Sequence, residues 1–149
     1  MQKKFIISVN GPVVESRGDG DFAMHDMVYV GEHKIIGEVI KLDKEIATIQ
    51  VYEETSGLRI GEEVIGTEAP LSITLGPGII GNVFDGIERP LKALQEASGN
   101  FLEKGNNIDA IDRNSVWHFI PKIDVGSKVN LNTILGEVKE TEVINNRIM

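Results

Sequence analysis

The sequence predicts a mainly β fold: a closed antiparallel β-barrel at the N-terminal end, then a short helix and a second β-rich segment. Three observations predict it. Up to Leu75, short β-forming runs recur about every 8–12 residues, with turn residues and no helical period between them. Near Gly76 the pattern changes to a glycine-rich connector and one helical stretch. From about residue 110 the β-forming runs return. Closure is expected for the first part, because an open sheet of this kind leaves unpaired edges.

Taken in order, Lys4-Phe5-Ile6-Ile7-Ser8-Val9 is β-rich and is stopped by the turn cluster Asn10-Gly11-Pro12. Val13-Val14-Glu15 resumes and runs into Arg17-Gly18-Asp19-Gly20-Asp21, a run of small and charged residues that reads as a loop. Met27-Val28-Tyr29-Val30 and Ile35-Ile36-Gly37-Glu38-Val39-Ile40 follow, separated by Gly31-Glu32-His33-Lys34. A turn at Leu42-Asp43-Lys44-Glu45 leads to Ile46–Tyr52, where Ala47, Ile49 and Val51 alternate with Ile46, Thr48, Gln50 and Tyr52. Gly61–Gly66 and Leu71-Ser72-Ile73-Thr74-Leu75 complete six or seven strands.

Arg89–Ala97 places Leu91, Leu94 and Ala97 at three-residue spacing, with Pro90 suited to a first helical turn and Ser98-Gly99 to a stop. Gly105–Asn114 is polar and turn-rich. The second β segment is expected at Val116–Pro121, Ser127–Val129, Ile134–Val138 and Thr141–Ile144. Asn145–Met149 ends inside or just after a strand signal, which predicts a truncation.

Composition narrows the function classes. With 15 Lys plus Arg against 23 Asp plus Glu, the net charge is −8. That balance, without a basic run longer than Lys3-Lys4, disfavours nucleic acid and anionic lipid, both of which need a concentrated cationic face. No cysteine is present, which removes disulfides, thiolate metal sites and cysteine nucleophiles together. The apolar runs are far shorter than the ~20 residues that span a bilayer, and the N-terminus lacks a signal-peptide core. A soluble, cytosolic chain is expected.

Gly76-Pro77-Gly78-Ile79-Ile80-Gly81 matches the dinucleotide fingerprint G-x-G-x-x-G letter for letter and follows an expected strand. Pyrophosphate recognition requires a helix directly after such a loop, so that its free N–H groups meet the anion. Asp85-Gly86 and Arg89-Pro90 break the chain instead, and the sequence favours a glycine-bearing connector. A P-loop requires glycine immediately before lysine. None of the ten lysines has one.

His25, His33 and His118 are not at metal-ligand spacing, and His118 between Trp117 and Phe119 reads as an ordinary strand residue. Glu53-Glu54 are adjacent, so on a strand they face opposite ways; they read as a solvated turn. Arg17-Gly18-Asp19 resembles an adhesion tripeptide, a chance match in a chain with no other sign of secretion. Val125–Val129 with Ile134–Val138 resembles half of a lipoyl or biotinyl carrier module, but Glu142–Arg147 offers no lysine to acylate.

A longer stretch is more specific. Leu75-Gly76-Pro77-Gly78-Ile79-Ile80-Gly81-Asn82-Val83-Phe84-Asp85-Gly86-Ile87-Glu88-Arg89-Pro90-Leu91 closely resembles a segment of the catalytic A subunit of V-type (archaeal/vacuolar) rotary ATPases. In that family the segment joins the N-terminal barrel to the rest of the polypeptide. Val9–Val14, Ile49–Leu58, Trp117-His118-Phe119, Gly136–Thr141 and Arg147-Ile148-Met149 fit in the same order, so the resemblance covers essentially the whole chain.

The resemblance implies residues 1–72 as a crown β-barrel, 73–109 as connector and short helix, and 110–149 as a truncated, β-rich bulge insertion. The barrel would meet B subunits of the ATPase hexamer, with Val13-Val14 and Met27–Val30 as barrel edges in that contact. The bulge would meet peripheral stalk subunits. ATP and Mg belong to the parent subunit, which would hydrolyse or synthesise ATP coupled to proton or sodium transport at the cytoplasmic face of the membrane. The phosphate-binding lysine and catalytic glutamate of that family lie outside this sequence. No catalytic, cofactor-binding or metal residue is expected here, and no direct membrane insertion. Two other readings compete: a freestanding β-barrel adaptor, and a dinucleotide-dependent enzyme, which would perturb Trp117.

Overall fold

The computed structural model describes residues 3–18, 20–99, 104–105 and 107–149. The chain divides into two compact units: Met1–Ile73 with Gln95–Asn107, and Thr74–Leu94 with Ile108–Met149.

The first unit is the closed antiparallel barrel that the spacing predicts. Its strands are β1 (Lys3–Asn10), β2 (Val13–Arg17), β3 (Asp26–Val30), β4 (Ile35–Asp43), β5 (Ile46–Val51) and β6 (Glu63–Pro70). They close in the order β1-β2-β5-β4-β3-β6, with β1 returning to β6. Alternation fixes which face is inside: Ala47, Ile49 and Val51 are buried while Ile46, Thr48, Gln50 and Tyr52 stand outward. Ile6, Val14, Val28, Val30, Ile35, Val39 and Val64 complete the core, capped by Phe22.

Three expectations need correction here. Val13-Val14 and Met27–Val30 are not edges: β2 is hydrogen-bonded to β1 and β5, and β3 to β4 and β6. Val14, Val28 and Val30 are fully buried core residues, because closing the barrel consumes every edge. The turn expected at Leu42–Glu45 is shorter, since Leu42 and Asp43 pair with Ala47 and Ile46, leaving Lys44-Glu45 to reverse the chain. Leu71–Leu75 forms no strand. Around Thr67–Ala69 the register with β3 shifts, Glu68 takes φ +59°, and Pro70 offers no N–H, so the ladder stops there. Arg17 is the last residue of β2, and Asp19, the end of the tripeptide, lies outside the described residues.

The helix α1 (Leu91–Ser98) starts two residues later than its pattern suggests. The backbone of Arg89 is already committed, its N–H to the Asp85 carboxylate (2.9 Å) and its C=O to the Asp85 N–H (3.1 Å). Pro90 therefore stands one place before the helix and accepts from the Leu94 N–H (3.0 Å). Gly99 at φ +69° closes the helix on the Gln95 carbonyl.

The second unit carries a three-stranded antiparallel sheet of β7 (Phe119–Pro121), β8 (Gly136–Lys139) and β9 (Asn145–Ile148), in that order. Ser127–Val129 is not a strand, and Thr141–Ile144 is the β8–β9 turn. There the Thr141 hydroxyl accepts from the Ile144 N–H (3.1 Å), a local bond that competes with strand pairing. The strand is instead the polar Asn145–Ile148, recruited by its partner β8 and not by its own propensity. No helix among the described residues is long and apolar enough to cross a membrane.

Candidate functional site

The loop Gly76–Gly81 is the segment with the most chemistry-like sequence, and each glycine in it has a local cause. Ile79 to Asn82 forms a turn closed by the Asn82 N–H on the Ile79 carbonyl (3.2 Å), with Gly81 at φ +90° in the third position. A Cβ on Gly76 would lie 2.8 Å from Ile111 Cδ1. Gly78 has φ +104°, and a Cβ there would lie 3.4 Å from Trp117 Cζ2. No helix follows directly.

The loop does bind an anion, and the anion is internal. Glu140 Oε1 accepts from the N–H groups of Gly78 (2.7 Å) and Ile80 (3.0 Å), and Asn146 Nδ2 donates to Oε2. Asn82 Nδ2 ties back to the Gly78 carbonyl (2.6 Å). Partial burial pushes the Glu140 carboxyl up, but the two amides and Asn146 outweigh it and hold it below the usual glutamate value.

Just beyond, Asp85 organises the turn to Arg89. Its Oδ1 accepts from the N–H groups of Ile87 (3.0 Å) and Arg89 (2.9 Å), and its Oδ2 from Arg89 Nε (2.8 Å). Burial raises the Asp85 carboxyl, while these donors and the guanidinium charge lower it further than burial raises it. A shallow cleft in this unit is lined by Thr74, Asp109, Ala110, Ile111 and Arg113. The Arg113 guanidinium there is already paired with Asp109.

Glu140, Asp85 and the exposed Asp112, which is held low by Asn114 and Ser115, shift in the same direction. A depressed folded-state pKa gives stability that is complete above the unfolded value, about 4, and is lost as pH falls through the folded value. Acidification below about pH 4 should therefore loosen the second unit, followed through the single Trp117. An emission from Trp117 that stays native down to about pH 2 would show that these carboxylates carry no folding energy.

In the barrel, three side chains meet that sequence spacing does not connect. His25 precedes β3, Glu38 lies on β4 and Tyr52 follows β5. Glu38 Oε1 is 2.7 Å from His25 Nδ1, and the Tyr52 hydroxyl donates to Oε2 (2.5 Å). Tyr52 and then His25 hold the Glu38 carboxyl below its ordinary value. Bonding to that carboxylate pushes the Tyr52 phenol up to about 12. Both shifts move away from neutrality, opposite to what a general acid–base pair needs, so the cluster is a clasp across the strands. His33 lies in the β3–β4 turn, and His118 is exposed in the second unit.

Glu53-Glu54 is more than a solvated turn. Glu53 Oε2 accepts from the Gly105 N–H (3.2 Å), and Glu54 lies 3.7 Å from Lys104 Nζ, which also donates to the Ser56 carbonyl (2.6 Å). The pair anchors residues 104 and 105 to the barrel, and Gly105 lies 52 residues from Glu53, a link that no local pattern announces.

Two family profiles match segments of this chain. The profile "ATP synthase alpha/beta family, beta-barrel domain" matches residues 6–68, and "ATPsynthase alpha/beta subunit barrel-sandwich domain" matches residues 108–149. The V-type ATP synthase alpha chain 2 of Clostridium tetani is 49% identical over 144 residues, 97% of this chain and 24% of that protein. The A subunit of the A-type ATP synthase of Pyrococcus abyssi is 49% identical over 97% of this chain and 14% of its own length. The catalytic A subunit of the V-type proton ATPase of Cyanidium caldarium is 46% identical over 100% and 26%. The chain thus spans about a quarter, or less, of these relatives. None of them supports a freestanding barrel adaptor.

Proposed function

Because this chain belongs to the ATP synthase alpha/beta family and corresponds to the N-terminal portion of the V/A-type catalytic chain, we propose that it is the assembly portion of that chain. On this reading the parent subunit hydrolyses or synthesises ATP with Mg, coupled to proton or sodium transport, at the cytoplasmic face of the membrane. Residues 1–72 form the crown barrel that meets B subunits. Residues 73–109 route the chain onward, and 110–149 begin the bulge that meets the peripheral stalk. The chain itself holds no catalytic, cofactor or metal residue.

The observation that supports this most directly is the state of the glycine loop. The only G-x-G-x-x-G in the sequence has its donors at Gly78 and Ile80 already engaged by Glu140. A triphosphate would meet a carboxylate in place of free N–H groups, and no glycine-lysine pair elsewhere replaces that cradle.

Titration of the chain with Mg-ATP and, separately, with the B subunit of a V-type ATPase tests both halves. The nucleotide should give no binding heat, and the B subunit should form a complex visible by native mass spectrometry. Micromolar ATP affinity would refute the assignment of an inactive module, and absence of any B-subunit complex would refute the assembly role.

A further inference from the structure

We propose that the Gly76–Gly81 loop is a carboxylate-binding site, which the chain keeps closed with its own Glu140. The N–H groups of Gly78 and Ile80 converge on a single oxygen, and Asn146 meets the other. Converging backbone donors of this kind form an anion nest.

The nest is shaped without the help of its occupant. The turn from Ile79 to Asn82, the Asn82 side-chain bond to the Gly78 carbonyl and the packing of Gly76 against Ile111 are all made without the carboxylate. Donors fixed in advance bind with little ordering cost. Glu140 lies between β8 and the turn at Thr141 and reaches the loop with its side chain alone, while its backbone N–H stays bonded to the Ile144 carbonyl (3.0 Å).

The donor set selects the ligand. Two N–H groups on one oxygen and one amide on the other fit a planar group with two oxygens and a single charge. Phosphate would bring further oxygens that have no donor here, and a second charge towards a chain of net charge −8. Ile80 and Asn82 are exposed, which leaves the mouth of the loop open to solvent.

The test is Glu140→Ala in the whole chain, titrated with sodium acetate and followed by amide NMR, with sodium chloride and sodium phosphate as parallel titrants. Acetate should shift the Gly78 and Ile80 amide resonances saturably, at concentrations on the order of tens of millimolar for an untethered ligand of three hydrogen bonds. Barrel resonances should stay still, and the unsubstituted chain should not respond. Should the substitution unfold the second unit, acetate should restore its dispersed resonances, and chloride should not. Lack of any acetate effect on folded or unfolded Glu140→Ala would overturn the proposal. So would an equal response in the unsubstituted chain, or a stronger response to phosphate.

Discussion

Val28→Lys is expected to unfold the barrel, with a loss above about 4 kcal/mol out of the roughly 5–15 kcal/mol that holds a typical domain together. Val28 has no exposed surface and points inward from β3, paired with Gly37 on one side and Gly66 on the other. A lysine there would have to place its ammonium group within an apolar core that also holds Ile49, Val39 and Val64. Lys4 shows what a buried lysine needs: it is only 2% exposed, but its Nζ donates to the Glu45 carbonyl (3.2 Å) and lies 5.4 Å from the Phe22 ring centre. Thermal unfolding followed by circular dichroism should show the transition lowered by more than about 20 °C, or absent. A shift of only a few degrees would mean that this side chain can escape to solvent and that the interior is less closed than described.

Gly37→Ala should cost about 2 kcal/mol, through crowding and not through backbone conformation. A Cβ on Gly37 would lie 2.7 Å from Ile49 Cγ2 and 2.9 Å from the Gln50 carbonyl oxygen. The methyl can turn, but the carbonyl belongs to the neighbouring strand and cannot move without disturbing the β4–β5 ladder. Gly66 faces a similar limit, 2.9 Å from the Phe22 ring, so the row Gly37–Val28–Gly66 alternates small, large, small across three strands. Gly86→Ala is the control: nothing lies within 4 Å of its Cβ position, and its change in unfolding free energy should stay within about 0.5 kcal/mol. Equal effects of the two substitutions in a denaturant titration would remove the packing explanation.

The barrel was legible in the sequence because its information is local. Period-two alternation at Ile46–Tyr52 and turn residues at Asn10-Gly11-Pro12 act on their own neighbours, and closure follows from the number of short strands. Leu71–Leu75 misled for the converse reason: its residues have strand propensity, but no ladder continues past Pro70 to receive them. Asn145–Ile148 erred in the other direction, as a polar segment made into a strand by β8.

The side-chain clusters were not legible at all. His25 and Glu38 are 13 residues apart, and Glu140 lies 62 residues from Gly78. No spacing rule links such pairs before the chain is folded. What spacing did carry at the glycine loop was a negative: a fingerprint without its helix. The structure adds the positive part, a carboxylate seated on the same donors.

The small sheet of the second unit has consequences for colloidal behaviour. Among the described residues, its outer strands β7 and β9 each keep one side without a partner strand in the order β7-β8-β9. Such borders invite polymerisation when they are long, flat and apolar. Here one border is three residues long and ends in Pro121, and the other reads Asn145-Asn146-Arg147-Ile148, four residues with a cation among them. Brevity, a missing donor and a fixed charge act as gatekeepers against fibril-like stacking, even though the same unit leaves apolar side chains such as Val125 and Leu131 fully open to water.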